Sequence, residues 1–407
     1  MQDTLFKIDT EKKGGAVLTT KEILTKFHEL FGMEGEIHTF FSPGRVNLMG
    51  DHTDYNRGYN FSCAVSFGTY GAIRRRNDRI LRFYSINYEG AGIRIDSLDN
   101  FRPLVDRGWA NYMKGVMWAF EEHGFRMDTG CDIVIGGDIP PLSGLSSSGS
   151  LEVLTGFMLR EVYGFYELTN IDIANYANYA ECNYTGTKSC ITDQFACAMG
   201  RAENAILLDT KKISCQYAPL KLGNYKIVIT NSMVKHPLIV QTVEDRYKEC
   251  EAALKKIKSV MNVENLCDLS VDQFNSIKDV IMDETLTKRA RHAVYESQRT
   301  IQAVSALRAG NLVRFGALMT ASHVSLRDDY EISCEEIDFL VDLALKIPGV
   351  LGSRITGAGF GGCTVSIVAE ESIPDFKNTL RREYRERTHN KAEFYIVEVG
   401  DGARKTS

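Results

Sequence analysis

Between a short run of strand character, Cys131-Asp-Ile-Val-Ile135, and a helical apolar face at Leu151, Leu154, Met158 and Val162 lies the segment Pro141-Leu-Ser-Gly-Leu-Ser-Ser-Ser-Gly-Ser150. A strand, a loop of glycine and serine, and a helix in that order constrain the chain strongly. The hydrophobic period must change from near 2 to near 3.6 through backbone that other groups can approach closely. Backbone N–H groups at a helix N-terminus attract anions, and small side chains let a phosphate reach them. Gly144 and Gly149 have the separation of the Walker pattern, but Ser150 stands where its lysine should be, so a P-loop NTPase is disfavoured. Read alone, the loop fits either a phosphate site or an ordinary serine-rich helix cap.

The rest of the chain alternates in the same way. Lys21 to Phe31 reads as an amphipathic helix, Ile37-His-Thr-Phe-Phe41 as a strand running into a Pro-Gly turn, and short alternating stretches continue to about residue 98. Helical spacing follows around Met113–Phe120 and again at Ile173, Tyr176, Ala177 and Ala180. Ala205–Asp209 and Tyr225–Thr230 read as strands, with a junction expected around Lys211–Gly223. Residues 241–345 are mainly helical, and strands return at Gly352–Thr356, Cys363–Val368 and Glu393–Glu398. The 407 residues therefore read as two α+β halves, 1–210 and 211–407.

Lys and Arg number 48 against 53 Asp and Glu, a net charge of −5, which points to small molecules rather than nucleic acid or an anionic membrane as partners. The clusters Arg74-Arg-Arg76 and Arg381-Arg382 read as solvated faces on that background. None of the ten cysteines forms a C-x-x-C pair, so a zinc ribbon or redox motif is not expected. The N-terminal residues carry no apolar signal region, and no apolar run approaches the ~18 residues of a membrane span. A cytoplasmic protein with reduced cysteines is the expectation.

Two further loops carry chemistry. Thr356-Gly-Ala-Gly-Phe-Gly-Gly362 satisfies G-x-G-x-x-G, but the β-branched run that follows is a strand, which defeats a dinucleotide reading. It reads as a glycine hairpin, or with the first loop as a second wall of a nucleotide site. Ser42-Pro-Gly-Arg-Val-Asn-Leu-Met-Gly-Asp-His-Thr-Asp-Tyr-Asn56 gathers Arg45, Asp51, His52, Asp54 and Asn56 around glycines. Such groups suit sugar hydroxyls, and equally a solvated turn.

Together the three loops, in this order, resemble the three motifs of the GHMP kinase superfamily, and Gly44–Asn56 is similar to the galactokinase signature at every position except Asp51. Trp109–Gly115, Gly144–Ser148, Asp193-Gln194, Ile229–Ser232, Ser353–Thr364 and Asp401–Arg404 extend the resemblance over about residues 38 to 404. It implies an N-terminal α+β domain with a left-handed β-α-β feature, a ferredoxin-like C-terminal domain with added helices, and an active site in the cleft between them. It implies transfer of the γ-phosphoryl of ATP to the C1 hydroxyl of galactose, with Mg²⁺ bridging the phosphates. By position, Asp193 and Arg45 match the catalytic pair, and Asp51, His52, Asp54 and Cys190 fall in the sugar pocket. The phosphate loop is Gly144, Leu145, Ser146, Ser147, Ser148 and Gly149, with Trp109 near adenine, and Ser148 and Glu181 match Mg²⁺ ligands.

Three positions depart from the family pattern: Asp51 for glutamate, Cys190 for glycine, and Val243 where the family has tyrosine. All fall on the sugar side, which opens two alternatives: a homologue acting on a C6-modified hexose or a pentose, or a non-catalytic sensor of sugar and ATP. A full-length Ser146–Ser150 loop and the presence of Asp193 favour an enzyme, expected to be a monomer.

Overall fold

The computed structural model describes residues 18–100, 108–140, 144–187, 189–234 and 239–407. Pro141, Leu142 and Ser143 of the phosphate loop and the N-terminal residues read above for a signal region lie outside these. Eight strands form one sheet: β1 (His38–Met49), β2 (Tyr59–Arg75), β3 (Ile80–Ser85), β4 (Arg94–Ser97), β5 (Cys131–Gly137), β6 (Asn204–Asp209), β7 (Ser214–Pro219) and, numbered last in the chain, β12 (Arg404–Lys405). Their order is β12-β1-β2-β5-β3-β4, with the β6–β7 hairpin attached to β2, and only β3 and β5 run parallel. A second, antiparallel sheet has the order β11-β8-β10-β9, from β8 (Tyr225–Asn231), β9 (Val350–Thr356), β10 (Cys363–Ala369) and β11 (Glu393–Val397).

Helix α1 (Thr20–Phe31) begins at a capping box made by Thr19 and Glu22 and buries Ile23, Phe27 and Phe31 against the first sheet. The opposite face is covered by α2 (Ala110–Glu122), α3 (Ser147–Tyr163), α4 (Asn170–Asn183) and α5 (Thr192–Met199). The second unit adds α6 (Ile239–Ile257), α7 (Val271–Ile277), α8 (Glu284–Arg308), α9 (Leu312–Asp328), α10 (Glu335–Leu345) and α11 (Ile373–Thr388). One apolar core spans both sheets, joining Val46, Leu48 and Phe61 to Ile227, Ile229, Val365 and Ile367. The two halves therefore share buried surface rather than meeting only through linkers.

Three expectations change. The chain does not turn at Pro43-Gly44; β1 runs through it to Met49, with its register shifting between Pro43 and Arg45. Proline has no N–H for the ladder, so a bulge absorbs it. A Cβ on Gly44 would stand 2.6 Å from the Leu145 carbonyl oxygen, so the bulge also lets β1 touch the phosphate loop. The short alternating stretches after it include β2, seventeen residues long and mostly buried because both of its faces are covered. The β6–β7 hairpin spans residue 210, pairing Asp209 with Ser214, so the first sheet extends to Pro219.

Arg74 and Arg76 are not purely solvated: both bind the buried carboxylate of Asp132, each at 2.9 Å. Gly316 of α9 and Gly352 of β9 press together so closely that a Cβ on Gly352 would lie 2.1 Å from the Gly316 carbonyl oxygen. This contact seats the strand that leads into the second glycine loop. Gly352→Ala is expected to lower the unfolding free energy by about 2 kcal/mol, read from urea denaturation.

Candidate active site

The bulge in β1 places Arg45 beneath the N-terminus of α3. Its Nε and Nη2 donate to the two carboxylate oxygens of Asp193, both at 2.7 Å, a fork-to-fork pair. Nη1 donates to the Gly144 carbonyl, and the Arg45 backbone N–H donates to the Leu145 carbonyl at 3.0 Å. Arg45 is 6% exposed. Burial opposes its charge, but Asp193 outweighs that and holds the guanidinium pKa above its ordinary value.

Asp193 sits in the first turn of α5, packed against the first turn of α3. A Cβ on Gly149 would lie 3.4 Å from the Asp193 Cβ and 2.6 Å from Ser146 Oγ, so glycine keeps that approach close. Ser146 occupies the N-cap of α3 in a left-handed conformation, φ 60°, and its side chain does not cap the helix. Its buried hydroxyl finds no hydrogen-bond partner among the described residues. An uncapped first turn on a seventeen-residue helix presents backbone N–H groups and the positive end of the helix dipole, the requirements of an anion site. Ser147 is exposed and Ser148 half-buried here, whereas the Leu145 side chain belongs to the core. The second glycine loop abuts the first, with a Cβ on Gly357 only 3.8 Å from the Gly144 carbonyl oxygen.

Glu181 of α4 lies beside this anion end. Its carboxylate accepts from Ser189 Oγ at 2.5 Å, from Gln194 Nε2 at 2.8 Å, and from the Ser148 hydroxyl. Burial raises its pKa, and the nearby Asp193 charge adds to the rise. Gln194 Nε2 also donates to Glu152 of α3 at 2.9 Å, so one amide bridges two carboxyl groups. Glu152 is fully buried, and burial reinforced by the Glu181 charge drives its pKa well above the carboxylate range. Nothing local in the sequence marks Glu152, which reads as one more polar position on an apolar helix.

On the other side of Asp193, the turn between β1 and β2 carries the sugar candidates. Asp51 is buried, receiving the Arg354 guanidinium and Asn47 Nδ2, the latter at 2.7 Å. His52 Nδ1 lies 3.0 Å from the Tyr55 hydroxyl, which bonds Tyr330 at 2.6 Å. Burial lowers the His52 pKa against the pull of Asp51 and Asp54, favouring the neutral ring. Asp54 is raised by burial, while a hydrogen bond from the Cys190 thiol opposes the rise. Arg354 and Tyr330 come from the second unit, so the sugar candidates lie where the halves meet. Val243 is a half-buried residue of α6, the helix whose Tyr247 ring packs 5.7 Å from Tyr55. Trp109, ahead of α2, lies parallel to Tyr88 with ring centroids 6.5 Å apart, and its indole nitrogen finds no partner among the described residues.

An uncapped helix end, a carboxylate clamped by arginine, and two glycine loops in contact thus lie together across two α+β units. The family models give the class, the GHMP kinases: their N-terminal domain matches residues 111–201 and their C-terminal domain residues 303–386. The galactokinase galactose-binding signature matches residues 25–75. The chain is 46% identical to a galactokinase of Clostridium acetobutylicum, covering 93% of this chain and 97% of that one. It is 45% identical to a galactokinase of Ligilactobacillus salivarius, covering 94% and 99% respectively. The crystal structure of Lactococcus lactis galactokinase complexed with galactose superposes with a TM-score of 0.91 at 40% identity, over 95% of this chain and all of that one. This chain belongs to the galactokinase family. Methanococcus jannaschii mevalonate kinase, at 19% identity and a TM-score of 0.63, shares the fold.

The Cys190–Asp54 contact gives a pH test. Removing the thiol removes a donor to the ionised carboxylate, so Asp54 should titrate at still higher pH. Cys190→Ala is expected to move the acid limb of kcat/KM upward, measured between about pH 4 and pH 7.

Proposed function

We propose that this chain catalyses the transfer of the γ-phosphoryl group of ATP to the anomeric C1 hydroxyl of galactose, yielding galactose 1-phosphate and ADP. The observation that carries this reading is the Arg45–Asp193 pair at the N-terminal end of α3, between the phosphate loop and the Asp51–Asp54 turn. The relatives named galactokinase support galactose as the acceptor.

Asp193 orients the C1 hydroxyl and accepts its proton as the oxygen–phosphorus bond forms and the bond to the ADP leaving group breaks. Arg45 holds that carboxylate in one orientation and places fixed positive charge beside the transferring group. The first-turn N–H groups of α3, from Ser147 to Gly149, cradle the phosphates, and Gly144 lets them approach. Asp51, His52, Asp54 and Cys190 surround the sugar hydroxyls. Arg354 and Asn47 hold the two oxygens of Asp51 without using every lone pair, which leaves acceptor capacity for a sugar hydroxyl.

Mg²⁺ fits beside Glu181, where one carboxylate and the Ser148 hydroxyl would leave the other positions to phosphate oxygens and water, the usual preference of this ion. Among the described residues no group of three or more His, Cys, Asp or Glu is arranged to hold a metal, which suits an ion held largely by its substrate. Bound there, it would neutralise charge on the phosphates. For adenine, the near-parallel rings of Trp109 and Tyr88, with centroids 6.5 Å apart, offer an aromatic surface suited to a planar base.

No helix among the described residues is long and apolar enough to cross a membrane. The ten unpaired cysteines fit a reducing cytoplasm, and we read the chain as a cytoplasmic monomer with two units, the first running to Pro219 and rejoined by β12, the second formed by the residues between. Asp193 clamped by Arg45 favours turnover over a sensing role.

ADP release with Mg-ATP should give the highest kcat/KM for galactose among galactose, glucose, galacturonate, fucose and arabinose. Asp193→Ala should lower kcat by about 10²-fold or more. A higher kcat/KM for another sugar would move the acceptor to that sugar and make Asp51, Cys190 and Val243 the specificity positions. Tyr88→Ala is expected to raise the KM for ATP about tenfold while leaving the KM for galactose nearly unchanged, both read from the same assay.

A further inference from the structure

We propose that His292 and Glu296, one turn apart on α8, are positioning residues that clamp the backbone of the Gly50–Asp54 turn and so set the geometry of the sugar pocket. This rests on the reading that the turn binds the sugar. Residues i and i+4 lie on one helix face, and here that face meets two consecutive residues of the turn. Glu296 Oε1 accepts the Gly50 backbone N–H at 3.0 Å. His292 Nε2 lies 3.1 Å from the Asp51 carbonyl oxygen, so this nitrogen carries the proton and donates it. The other ring nitrogen, Nδ1, lies 2.9 Å from Ser325 Oγ on α9 and accepts from that hydroxyl, which fixes the tautomer.

Both side chains are fully buried, and both have their remaining contacts supplied. Ser322 Oγ donates to Glu296 Oε1 at 2.5 Å, and the Arg299 guanidinium pairs with the other oxygen. Burial opposes charge on Glu296, but Arg299, with His292 and Arg354 nearby, holds its pKa down at about 2. Burial takes His292 to about 3. A fixed acceptor and a fixed neutral donor thus face the turn at neutral pH.

The turn itself needs them. Pairing of β1 with β2 ends at Met49 and Phe61, so the Gly50 N–H and the Asp51 carbonyl find partners on α8 instead of in the ladder. Gly50 has φ +83°, and a Cβ there would meet Tyr59 O at 2.2 Å and Thr300 Oγ1 of α8 at 3.1 Å, so the turn is pressed onto this helix. Asp51, His52 and Asp54 leave the backbone at this clamp or within three residues of it. A shift of the turn would carry Asp51 away from Arg354 and Asp54 away from Cys190 together, while the α3 phosphate end, which Arg45 holds, would stay.

The test uses the full chain with His292→Leu, His292→Gln and Ser325→Ala, the last a milder change that frees the imidazole without removing it. Steady-state kinetics would give separate KM values for galactose and ATP, and amide hydrogen exchange would follow the peptides over residues 47–56 and 144–152. We expect His292→Leu to raise the galactose KM about tenfold, with the ATP KM nearly unchanged. Exchange should quicken over residues 47–56 and not over 144–152. His292→Gln, whose amide can still donate, should recover most of the loss, and Ser325→Ala should shift the same quantities less. An unchanged galactose KM with unchanged exchange in the turn would overturn the proposal. So would equal rises in both KM values with uniformly faster exchange, the signature of general support to the fold. Failure of the unmodified chain to turn over galactose would strike the sugar reading alone, and the exchange pattern would then decide the clamp.

Discussion

A buried guanidinium facing a carboxylate with both pairs of atoms engaged is the contact on which the site depends. Arg45 joins β1 to α5 through Asp193 and to the phosphate loop through Gly144 and Leu145, so three segments far apart in sequence meet at one side chain. A charge as buried as this one is tolerated only when its hydrogen bonds are met, and removing a partner leaves the penalty without the compensation. The bulge at Pro43 brings the strand to the loop, and Gly149 brings α3 to α5. Without either, the uncapped end of α3 and the Asp193 carboxylate would be separated by ångströms, enough to matter for the proposed reaction, which is governed by positioning.

Electrostatics divide the site into two sides. Toward the phosphates, three carboxyl groups, Asp193, Glu181 and Glu152, stand near one another, an arrangement that like-charge repulsion disfavours. Arg45 compensates the first, and the Gln194 amide bridges the other two, with Glu152 driven toward its neutral form. Around the Asp51–Asp54 turn, charge is paired across the two units, Asp51 with Arg354, and Asn47, His52 and the buried Asp54 lie beside that pair. In the proposed reading the phosphate side draws mainly on the first unit, with the second glycine loop abutting it, and the sugar side lies between the units.

Much of this was legible in the sequence where the signal was local. The change of period from Cys131–Ile135 to Leu151–Val162 located β5 and α3, and the glycine and serine between them mark the uncapped first turn of α3. The resemblance to the family's motifs named Arg45, Asp193 and Glu181, and the structure brings them to one end of α3. The Pro43-Gly44 dipeptide misled, because a turn dipeptide inside a strand becomes a bulge when tertiary contacts hold the strand on both sides. Partners set by long-range packing stayed hidden: Arg354 lies 303 positions from Asp51, and His292 lies 241 from the carbonyl it binds. No periodicity reports such pairs, since each looks like an ordinary polar residue on its own helix or strand.

The central claim is that Asp193, clamped by Arg45, faces the anomeric hydroxyl of galactose with the phosphate end of α3 behind it. Phosphorus–proton correlation NMR of the purified product tests it most directly, because it reads which carbon carries the new phosphate. The account predicts a single product whose phosphorus couples to the anomeric proton. Phosphate on the C6 carbon or any other ring position would contradict it, since the sugar would then lie in the pocket in another orientation.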